Sequence, residues 1–267
     1  MQIYKIALVL IAGLSLLFAF VKYLEIGSVF FPTQAIEFTP AYINLAFEDI
    51  YIDTPDGVKI NGWFIPCDNA KYTLFFLHGN GGNISHRLDK IGLLNKTGLN
   101  IFIIDYRGYG RSPGKPSEAG IYRDAQAGYD YLINRRKISP GNIVAYGESL
   151  GTAAAIDLAS KVELKALIVE GAFSSGRDMA KRIFPLIPWR AFSDSFNSLR
   201  KIKEVTVPKL FLHSLNDEIV PLALSKKLFD RASGLKHFGE LAGSHNTAFL
   251  DSQDKYLSAI AAFIKQL

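Results

Sequence analysis

The sequence predicts an α/β fold, a mostly parallel sheet with helices on both faces. Short apolar runs of strand length alternate with segments of helical spacing, and this alternation implies parallel strands joined by covering helices. Near its start the chain carries a tight-turn signal between two alternating runs. In its middle, Gly147-Glu148-Ser149-Leu150-Gly151 separates a buried strand pattern from an Ala-rich helix pattern.

In chain order, Ala46 to Asp53 and Val58 to Ile65 flank Thr54-Pro55-Asp56-Gly57 and read as a hairpin. Tyr72 to Leu77 is a continuous apolar run of buried-strand type. The expected helix Ser85 to Asn95 leads to strand Asn100 to Ile104. Helix Glu118 to Arg135, capped by Ser117 after Pro116, leads to strand Asn142 to Tyr146. The helix opening at Ser149 leads to strand Ala166 to Glu170. Strand Lys209 to His213, helix Leu222 to Arg231 and strand Lys236 to Leu241 follow. A closing helix Thr247 to Lys265 places Phe249, Leu250, Leu257, Ile260, Phe263 and Ile264 on one stripe.

Residues 172–207 interrupt the alternation. Pro185 and Pro188 forbid one continuous helix there, and the aromatics Phe173, Phe184, Trp189, Phe192 and Phe196 suit a small, partly helical cap. Those aromatics either form an apolar acyl-binding wall in reach of the bilayer or only pack on the sheet.

A hydrophobic content of 49% and a charged content of 21% fit one globular domain with a large core plus an additional piece. That piece lies at the front. Ile6 to Val21 carries no charge between Lys5 and Lys22, near the lower limit for spanning a bilayer of about 30 Å. Residues 1–26 therefore read as an uncleaved membrane anchor; a cleaved signal segment and a helix packed on the domain are the alternatives. Lys5, Lys22 and Glu25 tilt the orientation toward a domain on the non-cytoplasmic side. Residues 27–42 read as a juxtamembrane connector, and residues 43–267 as the domain. A single cysteine, Cys67, excludes an intrachain disulfide and leaves the redox compartment open. The net charge of +5 comes from scattered basic residues, so no nucleic-acid partner is expected, while mild attraction to anionic lipid is compatible with it.

Sheets of this kind place their sites beyond the carboxyl ends of strands. There the sequence sets His78-Gly79-Asn80, Asp105-Tyr106-Arg107-Gly108-Tyr109-Gly110, Ser149, Asp217-Glu218 and His245. Glycines 147 and 151 would let a sharp strand-to-helix turn present the Ser149 hydroxyl. A hydroxyl nucleophile needs a base, and of the five histidines only His245 sits in a glycine-flanked loop after a strand, downstream of both serine and acid. Asp217 is the expected orienter of its ring, with Glu218 as substitute. The amides of Leu150 and Asn80 are the expected oxyanion donors. Arg107 reads as a structural tie for its loop. The glycine-rich turn after Leu77 lacks both the G-x-G-x-x-G spacing and a following Lys-Ser or Lys-Thr pair, which disfavours a nucleotide site.

The order Ser149, Asp217, His245, with the His78-Gly79 turn and the Asp105 to Gly110 stretch, resembles the α/β-hydrolase superfamily across residues 43–267. The anchor, the cap and the loop from Tyr106 to Glu118 look most like its membrane-anchored single-pass serine hydrolases, a group that includes depalmitoylases and lysophospholipid hydrolases. The resemblance implies an α/β-hydrolase fold with an eight-stranded sheet and a small helical cap, and esterase-type catalysis by Ser149, Asp217 and His245 with no cofactor and no metal. Lipid or acylated-protein substrates are expected first and small soluble esters second, with an oligopeptide substrate or a catalytically silent membrane-tethered binding module as further alternatives.

Overall fold

Thr54 and Gly57 close the first hairpin. The Gly57 amide donates to the Thr54 carbonyl at 2.9 Å, and the glycine adopts φ +82°, where a side chain would be strained. The flanking strands β1 (Glu48–Asp53) and β2 (Lys59–Ile65) pair antiparallel. In this computed structural model, which describes residues 2–267, six more strands follow. They are β3 (Thr73–Leu77), β4 (Asn100–Ile104), β5 (Ile143–Glu148), β6 (Ala166–Glu170), β7 (Lys209–Ser214) and β8 (Lys236–Leu241). The eight form one sheet in the order β8-β7-β6-β5-β3-β4-β2-β1, antiparallel only where β2 meets β1 and β4.

The central strands are apolar throughout because both faces are covered. Along β3, Phe75 and Leu77 join one core with Ile121, Ala154 and Leu228. Leu74 and Phe76 join the other with Ile91, Tyr256 and Ile260. One face is thus covered by α3 (Glu118–Asn134), α4 (Leu150–Ala159) and α7 (Leu222–Arg231), and the other by α2 (Leu88–Asn95) and α9 (Gln253–Lys265). The Ser117 side chain caps α3 by accepting from the Gly120 amide at 3.1 Å.

From β3 the chain crosses to β4 on one side and returns to β5 on the other. That reversal opens a crevice beyond the carboxyl ends of β3 and β5, where the Gly79–Asn80 turn and Ser149 sit.

The expected closing helix is broken in two. Ala248–Asp251 forms α8, and Ser252 leaves helical geometry because its hydroxyl bonds Ala242, donating to its carbonyl at 3.0 Å and accepting from its amide at 2.8 Å. The break turns Leu250 outward, whereas Tyr256, off the expected stripe, is fully buried. The expected helix from Ser85 begins as a 3-10 turn, Ile84–Arg87, capped by Asn83.

The cap contains α5 (Gly176–Ile183), α6 (Ser198–Lys201) and three-residue 3-10 turns at Trp189–Ala191 and Ile202–Glu204. Residues Gln2–Gly27 form α1. Met1, the first residue of the segment read as an anchor, lies outside the described residues. Among the described residues no helix is long and apolar enough to cross a membrane, so the expected span gains no support from the fold. Residues 27–42 are not a free linker. Phe31–Pro32 pairs in parallel with Gly81–Gly82, and the Asn83 side-chain Nδ2 donates to the carbonyls of Thr33 and Ala35.

Candidate active site

Between β5 and α4 the chain turns so sharply that Ser149 sits at φ 49°, ψ −115°. A non-glycine residue holds that conformation only where its surroundings enforce it. The Ser149 amide donates to the Glu170 carbonyl at 2.8 Å, and the Thr152 amide donates back to Ser149 at 3.0 Å. Gly147 passes so close to α4 that a Cβ would stand 2.6 Å from the Gly151 carbonyl oxygen. A Cβ on Gly151 would overlap the Leu77 carbonyl. Both glycines of the pentapeptide are therefore required by close approach.

Beyond β8, Gly243 turns at φ +110° and brings His245 over Ser149. The imidazole Nε2 lies 2.9 Å from Ser149 Oγ, and Nδ1 lies 2.7 Å from Asp217 Oδ2. The other Asp217 oxygen accepts from the Val220 amide at 2.7 Å and the Ile219 amide at 3.0 Å, so the carboxylate cannot swing. Glu218, the substitute orienter, instead accepts from the His245 backbone amide at 3.0 Å and steadies the loop.

Burial works to lower the His245 pKa. The hydrogen bond to Asp217 and its charge, with Glu148 and Glu170 beyond, outweigh burial and hold it above the ordinary value. Burial likewise works to raise Asp217, but the His245 contact and the Val220 amide keep it below the usual carboxylate range. Behind the carboxylate stands His213, 3.4 Å from Asp217 Oδ2, with Nε2 donating to the Val220 carbonyl at 2.9 Å. Burial pushes its pKa down and keeps that ring neutral near pH 7. Sequence position alone marks His213 only as a strand residue.

On the opposite side of Ser149, the glycine-rich turn holds Asn80. Its carbonyl accepts from the Phe31 amide at 3.0 Å and the Tyr109 hydroxyl at 2.8 Å, while the Tyr106 hydroxyl donates to the His78 carbonyl at 3.1 Å. The Asn80 amide is left without a protein acceptor among the described residues. The Leu150 amide opens α4 and has no intrahelical partner. Arg107 ties its loop down, with ion pairs to Asp56 and Asp124 at 2.8 Å each.

One cluster has little warning in the sequence. Glu148, the residue before the serine, accepts from Arg87 Nε at 2.8 Å and Lys90 Nζ at 2.8 Å, and more weakly from the Gly79 amide at 3.4 Å. Lys90 also reaches Glu170 at 2.9 Å, and Glu170 accepts from Tyr146, whose hydroxyl lies 2.8 Å from that of Tyr256. Burial opposes ionisation of Glu148, but Lys90 and Arg87 prevail and hold its pKa far below normal. Arg87 further donates to the Gly81 carbonyl at 2.9 Å, so one ion-pair network ties the glycine-rich turn to the serine turn.

A cavity of 590 Å³ opens from Ser149 and His245 toward the cap and is walled by Phe173, Met179, Ile183, Phe184, Phe192 and Phe196. Its volume suits a small-molecule or acyl ligand. Chemically, the arrangement can remove a proton from a hydroxyl and stabilise negative charge on an oxygen beside it.

A family model described as serine aminopeptidase, S33, matches residues 68–193. The chain is 34% identical to the alpha/beta hydrolase domain-containing protein WAV2 of Arabidopsis thaliana, over 97% of this chain and 92% of that protein. It is 35% identical to alpha/beta hydrolase domain-containing protein 17B of Homo sapiens, over 83% of this chain and 76% of that protein. Among solved structures, the Pyrococcus furiosus esterase Pf2001 superposes with a TM-score of 0.74 at 22% identity, covering 90% of this chain and 98% of that one, a likeness of fold. With relatives of this identity and coverage and a sheet of this order, the chain belongs to the α/β-hydrolase family.

Proposed function

We propose that the protein is a serine hydrolase that cleaves esters or thioesters through an acyl-enzyme. The observation that carries this reading is the unbroken hydrogen-bond chain Ser149–His245–Asp217 at the mouth of the apolar cavity. In the first half-reaction Ser149 Oγ attacks the substrate carbonyl carbon while His245 Nε2 takes the hydroxyl proton. The carbonyl oxygen becomes an oxyanion between the Asn80 and Leu150 amides, and Asp217 stabilises the imidazolium. As the intermediate collapses, His245 gives its proton to the departing oxygen or sulfur, leaving Ser149 acylated. Water then attacks the acyl carbon with His245 again as base, and Ser149 departs carrying the returned proton.

The cap's aromatic lining supports lipid or acylated-protein substrates, with the acyl chain along Phe173, Met179, Phe184 and Phe192. Residues 1–26 serve in this reading as a membrane anchor, 27–42 as the segment joining it to the domain, and 43–267 as the catalytic domain with its cap at 172–207. The match to a serine aminopeptidase model favours a second reading, hydrolysis of a peptide with a free amino terminus. An α-ammonium needs an unpaired carboxylate. The only carboxylates among the described cavity-lining residues, Glu25 and Glu148, are both engaged, the first by Lys22 and Ser193 and the second by Arg87 and Lys90.

Labelling with a fluorophosphonate followed by hydrolysis of p-nitrophenyl esters of rising chain length tests the proposal. Adduct on Ser149 and a rate sustained on long chains are expected. Absence of the adduct in folded protein removes the serine mechanism, and a rate that collapses beyond butyrate removes the long-acyl substrate.

A further inference from the structure

The tip of the cap exposes apolar side chains that the fold does not use. Leu186 is 96% exposed, and Ile183 and Trp189 lie beside it in sequence with large exposed surfaces. Single exposed leucines are common, whereas a contiguous apolar patch marks a contact surface. The cap below the tip packs against α1. Val21 is buried against Ala180 and Phe192, with Phe184, Ile187 and Ala191 around them, so the C-terminal turns of α1 lie along the cap. Glu25 fastens this contact by accepting from the Ser193 amide at 3.0 Å and from the Ser193 hydroxyl. Next to the seam, Phe18, Phe20 and Tyr23 remain more than half exposed.

Charge at the tip is mostly positive. From 181 to 193 the chain carries Lys181, Arg182 and Arg190 and no acidic residue, and of these Lys181 pairs with Asp178 at 3.0 Å. Lys181 Nζ lies 4.9 Å and the Arg190 guanidinium 4.7 Å from the centre of the Trp189 ring. An exposed tryptophan and leucine ringed by cations is the chemistry of a surface that enters the headgroup layer, apolar groups inward and cations at the phosphates. Ile183 and Phe184, at the base of the tip, also line the cavity that reaches Ser149.

We propose that the cap tip, Ile183 to Arg190, held beside the C-terminal turns of α1, docks on a bilayer surface that contains anionic lipid. Leu186 and Trp189 enter the acyl-chain boundary, and Arg182 and Arg190 meet lipid phosphates. The cavity mouth is then set against the lipid phase. What the docked cavity would receive rests on the acyl-hydrolase reading above; the docking itself does not.

The chain supplies its own reporter. Its tryptophans are Trp63, wholly buried in the core, and Trp189 at the tip. The full chain would be reconstituted in vesicles of brominated phosphatidylcholine, alone or mixed with brominated phosphatidylglycerol. Bromine quenches tryptophan only on contact, so docking predicts loss of Trp189 emission in the anionic vesicles and a smaller loss in the neutral ones. Trp189→Phe should remove the quenchable fraction. Leu186→Asp should abolish quenching while hydrolysis of soluble p-nitrophenyl butyrate continues. Arg182→Gln and Arg190→Gln should each lower the ratio of docked to undocked protein about fivefold. Ser149→Ala should keep the quenching and lose the hydrolysis, which separates failure of the surface from failure of the catalytic reading. Trp189 emission that is unquenched in both vesicles, as when a protein partner covers the patch instead, or quenched equally in both, overturns the proposal.

Discussion

His78 and His245 each stand beyond the carboxyl end of a strand with an aspartate in reach, yet they are put to opposite uses. The His78 ring is sealed, with no exposed surface and the Tyr106 and Tyr109 rings packed on it at 4.6 and 5.3 Å. Its Nδ1 meets the Gly79 carbonyl at 2.7 Å, and its Nε2 stands 3.5 Å from Asp105, too far for a strong bond. His245 makes two short contacts, to Asp217 and Ser149, and faces a cavity. A histidine–aspartate pair thus becomes a strut or a base according to what covers it. Here the strut braces the turn that carries Asn80, so the sealed pair serves the open one.

The largest effects should separate the two rings. His245→Ala or Ser149→Ala is expected to lower kcat on the order of 10⁶-fold while the melting temperature stays near wild type, because residues of such a unit lose activity together. His78→Ala should act through stability, leaving Asp105 buried with less company and a cavity among aromatics, and lower Tm by about 5–15 °C. Calorimetry beside steady-state kinetics reads both. Were His78→Ala to cost as much activity as His245→Ala with Tm unchanged, the division of labour would be wrong.

Asp217→Asn comes next, at about 10⁴-fold in kcat, since the amide favours the wrong imidazole tautomer. Its pH profile carries a sign. His245 must be neutral to accept a proton, and its pKa is raised, so kcat/KM should fall as pH drops through a value above about 6.5. Asp217 is the main group opposing burial there, and its loss should move that acid limb to lower pH. A limb that stays in place, or moves up, would assign it to another group.

Glu148→Gln should cost less, about tenfold to a hundredfold in kcat with KM little changed, below the loss from deleting an oxyanion donor outright. The substitution keeps the side chain's shape but weakens the link from Arg87 and Lys90 to the serine turn. It also removes one of the negative charges that raise His245, so the acid limb should again move down, though less than in Asp217→Asn. Measuring kcat, KM and the limb together distinguishes this from general loosening of the fold, which would shift no limb.

These residues differ in how far the sequence could announce them. Ser149 and Asp217 were legible because each follows an apolar run of strand length, and His245 because it sits in a glycine-flanked loop after a strand; parallel strands collect such positions at one rim. Strands Asn100–Ile104 and Ala166–Glu170 agree with their expected bounds because buried central strands are read from continuous hydrophobicity, and the half-buried edge strand Lys236–Leu241 agrees as well. Lys90 was not legible. Its role depends on Glu148 and Glu170, 58 and 80 residues away in the chain, and a lysine among apolar helix residues has the pattern of a solvated one. Ser252 hid the break in the last helix because the break depends on a hydrogen bond to Ala242 across the loop rather than on local propensity.

Tyr109→Phe is the smallest of the expected effects and tests the strut most directly. The hydroxyl donates to the Asn80 carbonyl at 2.8 Å and fixes the peptide whose neighbouring amide faces the cavity. The phenylalanine ring keeps the packing on His78 and Tyr106, so stability should change by about 1 kcal/mol at most. If the bond only holds the fold together, the rate will be unchanged. If it aims the Asn80 amide at the oxyanion, kcat should fall about fivefold with KM unaltered, because a donor engaged only in the transition state leaves substrate binding alone. A loss confined to KM would put the Asn80 turn on the substrate side of the site and detach it from His245.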